Sequence, residues 1–510
     1  MIYIDPPYNT GKDFVYKDNF KDNIENYKMI TGQKTKEGYK ATTNTETDGS
    51  YHSNWLNMMY PRLKLARNLL TDDGVIFISI DDNEVTNLNK ICNEIFGEEN
   101  FIGDFIRKTK STTNDAKTGL NYQHEVLLCY GKNKENINLL GGGKDLSRYQ
   151  NPDNDPNGDW ISDNPSAKSG TIENNYFEII NPYTSKKDLP PVGRFWIFSK
   201  NTLQQHIDEG RICFKKEHKE NERGFIYKRF LKDLKTTQKT LDSLVFTQNE
   251  FMNQYATKEL KELKLVEYFP YPKGTNLIKT LITHTTNKND FILDFFSGSA
   301  TTAHAVMQLN AEDGGNRKYI MIQLPEPCDE KSEAYKAGYK NICEIGKERI
   351  RRAGEKIKGD ESLPVENREK LDIGFKVFKL DSSNIKEWDS ETENLEQSLF
   401  DSIDNIKSDR TSLDVLYEIL LKYGLELTVS IIEKKNFYSI GGGTLLVNLD
   451  KEINMEVIDS ICEEYKNLLE IDEEFKTTVV LRDSSFKNDV DKTNAMKKLE
   501  QIGIKEIRSI

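Results

Sequence analysis

Near its start the 510-residue chain carries Asp5-Pro6-Pro7-Tyr8, directly after the apolar tripeptide Ile2-Tyr3-Ile4. Two successive prolines fix the backbone and remove two N–H donors, so the segment offers carbonyls that only accept hydrogen bonds. With the Asp5 carboxylate they make an acceptor cluster beside the Tyr8 ring. Such a cluster suits a planar group bearing an –NH2: Asp5 and the Pro6 carbonyl accept its two protons while Tyr8 stacks on the ring. A turn with an aromatic anchor is the plainer reading of the same four residues. Far downstream, Asn289–His304 reads as an apolar strand ending at Asp294, a small-residue turn Ser297-Gly298-Ser299-Ala300, and a helix opening near Thr301. Ligands of doubly wound sheets sit beyond strand carboxyl ends, where small residues let them approach the backbone. A strand–turn–helix that is merely packed fits that pattern too. It is neither GxGxxG nor GxxxxGK[ST], so a dinucleotide or P-loop phosphate site is poorly supported.

The elements that must position these residues follow from periodicity. A helix is expected over Trp55–Leu70, where Leu56, Met59, Leu63, Ala66 and Leu70 recur near helical spacing. Gly74–Ile80 is an apolar run of strand length with Asp81 and Asp82 just beyond it, and a second helix covers Glu84–Phe96. Strands are expected at Phe101–Lys108, Glu125–Tyr130 and Lys318–Leu324, one basic helix at Glu333–Lys358, and a polar linker at Glu361–Glu369. Thr31–Ser53, with few apolar anchors, reads as a loop. Length suggests roughly three domains. The expected organisation is a catalytic part over residues 1–136, a recognition region over 137–268, a second catalytic part over 269–360 and an acidic domain over 371–510.

The net charge of −12 conceals an asymmetry. Residues 360–510 hold 33 acids against 20 bases, leaving 50 acids and 51 bases for residues 1–359. The acidity belongs to the last third, and the neutral front can carry local basic surfaces. The six cysteines are scattered, and the six histidines form no HExxH. A reduced cytoplasmic protein without a structural metal is therefore expected. No apolar run approaches the roughly 18 residues of a membrane span.

Taken together, the DPPY tetrad and the turn Phe296-Ser-Gly-Ser-Ala300 resemble the beta class of S-adenosylmethionine-dependent DNA amino methyltransferases. Longer stretches carry the resemblance further, to the modification (Mod) subunit of type III restriction–modification systems. These are Trp55–Glu84, Asn151–Trp160, Tyr271–Lys279 and the closing Asp489–Asn494 with Arg508-Ser-Ile510. The resemblance implies an α/β fold: a doubly wound, Rossmann-like methyltransferase sheet split by a recognition insert, plus a C-terminal α+β domain. It implies transfer of a methyl group to adenine N6 in double-stranded DNA, with N4-cytosine methylation as the alternative base. By carry-over, Asp5, Pro6, Pro7 and Tyr8 are catalytic. Asp294, Phe296, Gly298, Ser299, Thr301 and Lys273 would surround the cofactor, and Gln323 or Glu326 would hold its ribose. Ala300 stands where the family's second Gly is usual, placing a methyl next to the cofactor. Gly274 stands where Pro is common.

Trp160, Arg211, Lys215, Arg223 and Arg229 are candidate DNA contacts, although core packing and solvated faces explain many such residues. The helix bearing Lys347, Arg349, Arg351, Arg352 and Lys356 could touch phosphates, but reads more readily as an exposed charged face. Implied partners are a second Mod copy and a restriction subunit with helicase and nuclease activity. Family members usually have some tens of residues before DPPY. The rival expectation is therefore a shortened, catalytically impaired recognition or scaffold subunit.

Overall fold

Strands buried on both faces build the centre of the protein. In the computed structural model, which describes residues 1–10, 50–113, 120–386 and 406–510, β1 (Ile2–Ile4) and β2 (Val75–Ile80) are buried at every position. The chain divides into two compact units, Met1–Ile373 and Gly374–Ile510. In the first, α1 (Ser50–Leu69) precedes β2, and α2 (Val85–Phe96), β3 (Phe101–Lys108) and β4 (His124–Gly131) follow it. An insert carries β5 (Trp160–Asp163), β6 (Ile212–Phe214), β7 (Phe225–Phe230) and α3 (Asn253–Glu262). The sheet is completed by α4 (Thr275–Thr285), β8 (Phe291–Asp294), α5 (Thr301–Asp313) and β9 (Lys318–Met321), then α6 (Ile342–Lys358).

The strand order is β9-β8-β1-β2-β4-β3. The first four run parallel; β4 is antiparallel to both β2 and β3. Side chains alternate across the pleat, so Ile2, Ile4, Ile76, Ile78 and Ile80 pack on α1 and α2. Tyr3, Val75 and Phe77 face the other way, onto Leu277 and Leu281 of α4 and Val306 and Leu309 of α5. Two covered faces explain why Val75–Ile80 reads as a continuous apolar run. Of the described helices, α1 lies on one face and α5, which follows β8, on the other. The neighbouring carboxyl ends of β1 and β8 thus flank the crevice of a doubly wound sheet.

Most residues of the loop expected at Thr31–Ser53 lie outside the described ones, and Ser50–Ser53 already belong to α1. The helix expected at Glu333–Lys358 is broken: Glu333–Lys336 ends before Gly338 (φ +101°), and Asn341 caps a fresh start at Ile342. The linker expected at Glu361–Glu369 contains a helical turn, Val365–Lys370, whose Asn367 donates to the Ala311 carbonyl at 3.0 Å. The strand expected to reach Leu324 ends at Met321.

The second unit has α7 (Ser412–Lys422), β10 (Ile431–Glu433), β11 (Tyr438–Ile440), β12 (Leu445–Asn448), α8 (Met455–Ile471), β13 (Thr478–Leu481), α9 (Asp489–Gln501) and β14 (Glu506–Ser509). Its five described strands follow chain order in one mixed sheet, antiparallel through β12 and parallel from there to β14. Among the described residues, no helix is long and apolar enough to cross a membrane.

Candidate active site

Asp5 stands one residue beyond β1. The Tyr8 hydroxyl lies 2.9 Å from Asp5 Oδ1 and 3.2 Å from Glu125 Oε2. Lys273, from the segment before α4, brings its ammonium into the same cluster. Its Nζ is 2.6 Å from the Tyr8 hydroxyl, 3.1 Å from Asp5 Oδ1 and 3.0 Å from Glu125 Oε1. Arg107, paired with Glu125 in the β3–β4 register, closes the cluster from behind at 2.8 Å. Its guanidinium also donates to the Phe251 carbonyl and to Asn253 Oδ1. Burial would raise the Glu125 pKa, but the Lys273 and Arg107 charges outweigh it and bring the group to about 2. Asp5 moves the other way: burial, with the Glu125 charge, raises it despite Lys273.

The tetrad is pinned from the α1 side. Trp55 donates from Nε1 to the Pro7 carbonyl at 2.7 Å. Asn9, in the left-handed region at φ +58°, donates to the fully buried Glu84, which also meets His52 and Asn87. The acceptor cluster is therefore held before any ligand arrives.

At the end of β8, Asp294 accepts from the Thr302 hydroxyl at 2.6 Å and from the Phe296 N–H at 3.1 Å. Burial pushes its pKa up to about 7. The turn then uses positive φ at Gly298 (+50°) and Ala300 (+62°), and a left-handed conformation costs an alanine roughly 1–2 kcal/mol. Ala300 is buried, and Gly346 of α6 lies close behind the turn: a Cβ there would come within 3.3 Å of the Gly298 carbonyl oxygen and 3.6 Å of the Ala300 methyl. Gln323 Oε1 accepts the Gly298 N–H at 2.8 Å, placing this side chain, beyond β9, on the turn. The backbone of Glu326 bonds its neighbours: its N–H donates to the Leu324 carbonyl, and its carbonyl accepts from the Ile342 N–H.

Arg349 departs from the expected exposed face: it is fully buried. Its Nη1 donates to Ser299 Oγ (2.8 Å) and Thr301 Oγ1 (2.7 Å), clamping the residues on either side of Ala300. Glu259 lies 3.7 Å from Nη2 and accepts from the Thr275 N–H at 3.0 Å. Thr301 in turn donates to the Lys273 carbonyl at 3.2 Å. Lys273 thus contributes its backbone to the turn and its side chain to the Asp5 cluster, joining the two strand ends. Glu125, Arg107, Glu259 and Arg349 were not identified from sequence. For Arg107 and Glu125 the available signal is charge beside apolar strand residues; Glu259 and Arg349 lie in charge-rich helices that give no such signal.

The candidate DNA contacts of the insert are largely engaged. Arg211 pairs with Glu209 and Asp233, Lys215 with Glu222, and Arg229 with Asp163. Arg223 lies over the Trp196 and Phe225 rings, and Trp160 donates to Asp153 at 2.7 Å beneath the Lys228 ammonium.

A model of the DNA methylase family matches residues 1–351. The chain belongs to the DNA methylase family. It is 35% identical over 385 residues to the type III restriction-modification enzyme StyLTI Mod subunit of Salmonella typhimurium, covering 74% of this chain and 56% of that protein. It is 34% identical over 420 residues to the EcoP15I Mod subunit of Escherichia coli, covering 74% and 61%. It is 30% identical over 367 residues to the type II methyltransferase M.KpnI of Klebsiella pneumoniae, covering 68% of this chain and 80% of that protein. This DNA methylase therefore spans just over half of the StyLTI relative's length and about three fifths of the EcoP15I relative's.

Proposed function

We propose that this DNA methylase transfers a methyl group from S-adenosylmethionine to adenine N6 in double-stranded DNA, as the modification subunit of a type III restriction–modification system. The observation that carries the reading is the Asp5 carboxylate at the tip of β1, beside the Gly298–Ala300 turn at the tip of β8. Similarity to the StyLTI and EcoP15I Mod subunits supports the type III assignment, a restriction-subunit partner and a cytoplasmic setting. A homodimer is the assembly expected of a Mod subunit, and the mass of the free protein in solution tests it.

The turn's residues fit the cofactor. Gly298 sits at a φ that disfavours any side chain, and Gln323 offers a hydroxyl-binding amide at the next strand end. Behind them the buried Arg349 guanidinium holds the turn through Nη1, and among the described residues its Nε and Nη2 make no hydrogen bond, Glu259 lying 3.7 Å from Nη2; the positive charge at the turn suits an anionic carboxylate. When bound, S-adenosylmethionine supplies an electrophilic methyl on a sulfonium. Asp5 and the Pro6 carbonyl accept the two hydrogens of the amine and hold its nitrogen lone pair toward that methyl. Trp55, bonded to the Pro7 carbonyl, fixes the adjoining Pro7–Tyr8 peptide, and the rigid proline rings carry that restraint to the Pro6 carbonyl. The work is positioning and electrostatics. Extruding the base from the duplex costs a few kcal/mol, and stacking on Tyr8 returns roughly 1–3 kcal/mol.

The test is incubation of the full chain with duplex DNA and S-adenosylmethionine carrying a tritiated methyl. Label in adenine supports the reading. Label confined to cytosine, or none from folded protein that binds the cofactor, refutes it.

A further inference from the structure

We propose that Lys273 belongs to the target-base pocket and reads the ring nitrogen next to the reacting amine, so that the Asp5–Lys273 pair is a donor–acceptor detector for an aminated Watson–Crick edge. The inference rests on the methylation reading above and adds a specificity-determining residue to it.

Lys273 has three N–H donors, and three partners surround them: the Tyr8 hydroxyl at 2.6 Å, the Glu125 carboxylate at 3.0 Å and Asp5 Oδ1 at 3.1 Å. Two of these partners are firmly held. Glu125 is fixed by the buried Arg107, and Tyr8 follows the rigid Pro6-Pro7 segment. The third, Asp5, is the acceptor the amine must use, and its side chain is 29% exposed while that of Lys273 is 11% exposed. Asp5 Oδ1 is thus shared by the Tyr8 hydroxyl and the Lys273 ammonium, and an amine that donates to this oxygen takes the ammonium's place.

Entry of adenine exchanges one contact for two. The exocyclic amine donates to Asp5, and the N–H released from Asp5 donates to ring N1. Cytosine presents the same order, with its N4 amine beside N3. Guanine places an N1–H beside its exocyclic amine, so a donor would face the Lys273 donor, and thymine has no amine for Asp5. The pair thereby selects the chemical class of base, while Glu125 and Tyr8 keep the ammonium from swinging away.

The test is a double-mutant cycle between a side chain and a base atom. Full-length protein and its Lys273→Met variant are assayed on duplexes carrying either adenine or 1-deazaadenine at a target position mapped by sequencing methylated DNA. A charge-assisted hydrogen bond predicts that deleting N1 lowers the wild-type rate by about 10–100-fold. Lys273→Met lowers it comparably on adenine and is insensitive to N1. Losses that multiply independently in the variant, or equal wild-type rates on the two bases, overturn the inference and leave the methylation reading intact. A wild-type protein that labels no base overturns both.

Discussion

Replacing Glu125 by Gln removes the carboxylate shared by Arg107 and Lys273, and the cost can be worked from the structure. Glu125 titrates at about 2 in the folded protein against 4.5 unperturbed, because burial, which opposes ionisation, is overcome by the two cations. At about 1.4 kcal/mol for each tenfold change in proton affinity, that interval amounts to roughly 3 kcal/mol at neutral pH. Breaking a buried ion pair by removing one partner costs about 3–5 kcal/mol, the same range. The sign follows from the lowered value: the contribution is present above pH 4.5 and is lost as pH falls through about 2. Urea unfolding of the full chain, followed by tryptophan fluorescence, measures the difference, since Trp55, Trp160 and Trp196 all lie in the Met1–Ile373 unit. The expected gap of about 3 kcal/mol at pH 7 narrows by roughly 2 kcal/mol at pH 3. A gap below about 1 kcal/mol, or one equal at both pH values, refutes the reasoning.

Arg349→Met removes the clamp on Ser299 and Thr301, each a charged hydrogen bond worth about 1.5–3 kcal/mol. Calorimetric titration is expected to show S-adenosylhomocysteine binding at least about tenfold weaker, and unchanged affinity in a folded variant contradicts this role. Asp294, raised by burial to about 7, contributes stability that is full below its ordinary 3.8 and lost as pH rises through 7. A cationic sulfonium favours its ionised form, so cofactor binding near pH 7 is expected to release protons and at pH 9 to release none, as titration in buffers of different ionisation enthalpy will show. Arg211 is already neutralised by Glu209 and Asp233, so Arg211→Gln is expected to leave the salt dependence of DNA binding unchanged. A slope smaller by about one would reveal a phosphate contact.

The two strand-end sites were legible because prolines, glycines and short polar residues announce backbone constraints locally. Asp5-Pro6-Pro7-Tyr8 and Phe296–Thr301 could be read as turns after strands without knowing what lay beside them. The cluster around Asp5 could not, because Arg107, Glu125 and Lys273 are brought together by strand register and by a segment from beyond the insert. Nothing in the local pattern of Glu125–Tyr130 says which residue faces it. Arg349 is illegible for a similar reason: a helix rich in Lys, Arg and Glu reads as solvated, yet one of its arginines turns inward onto the Ser299–Thr301 turn. Gly338 breaks the helix although the basic pattern continues across it.

The central claim, that Asp5 at the end of β1 presents an adenine amine for methylation, is tested most directly by nucleoside mass spectrometry. DNA is incubated with S-adenosylmethionine and either the wild-type chain or its Asp5→Ala variant, then digested. The expected result is N6-methyldeoxyadenosine with the wild type and none above background with the variant. Undiminished N6-methyldeoxyadenosine from Asp5→Ala, or N4-methyldeoxycytidine as the sole wild-type product, would contradict the account.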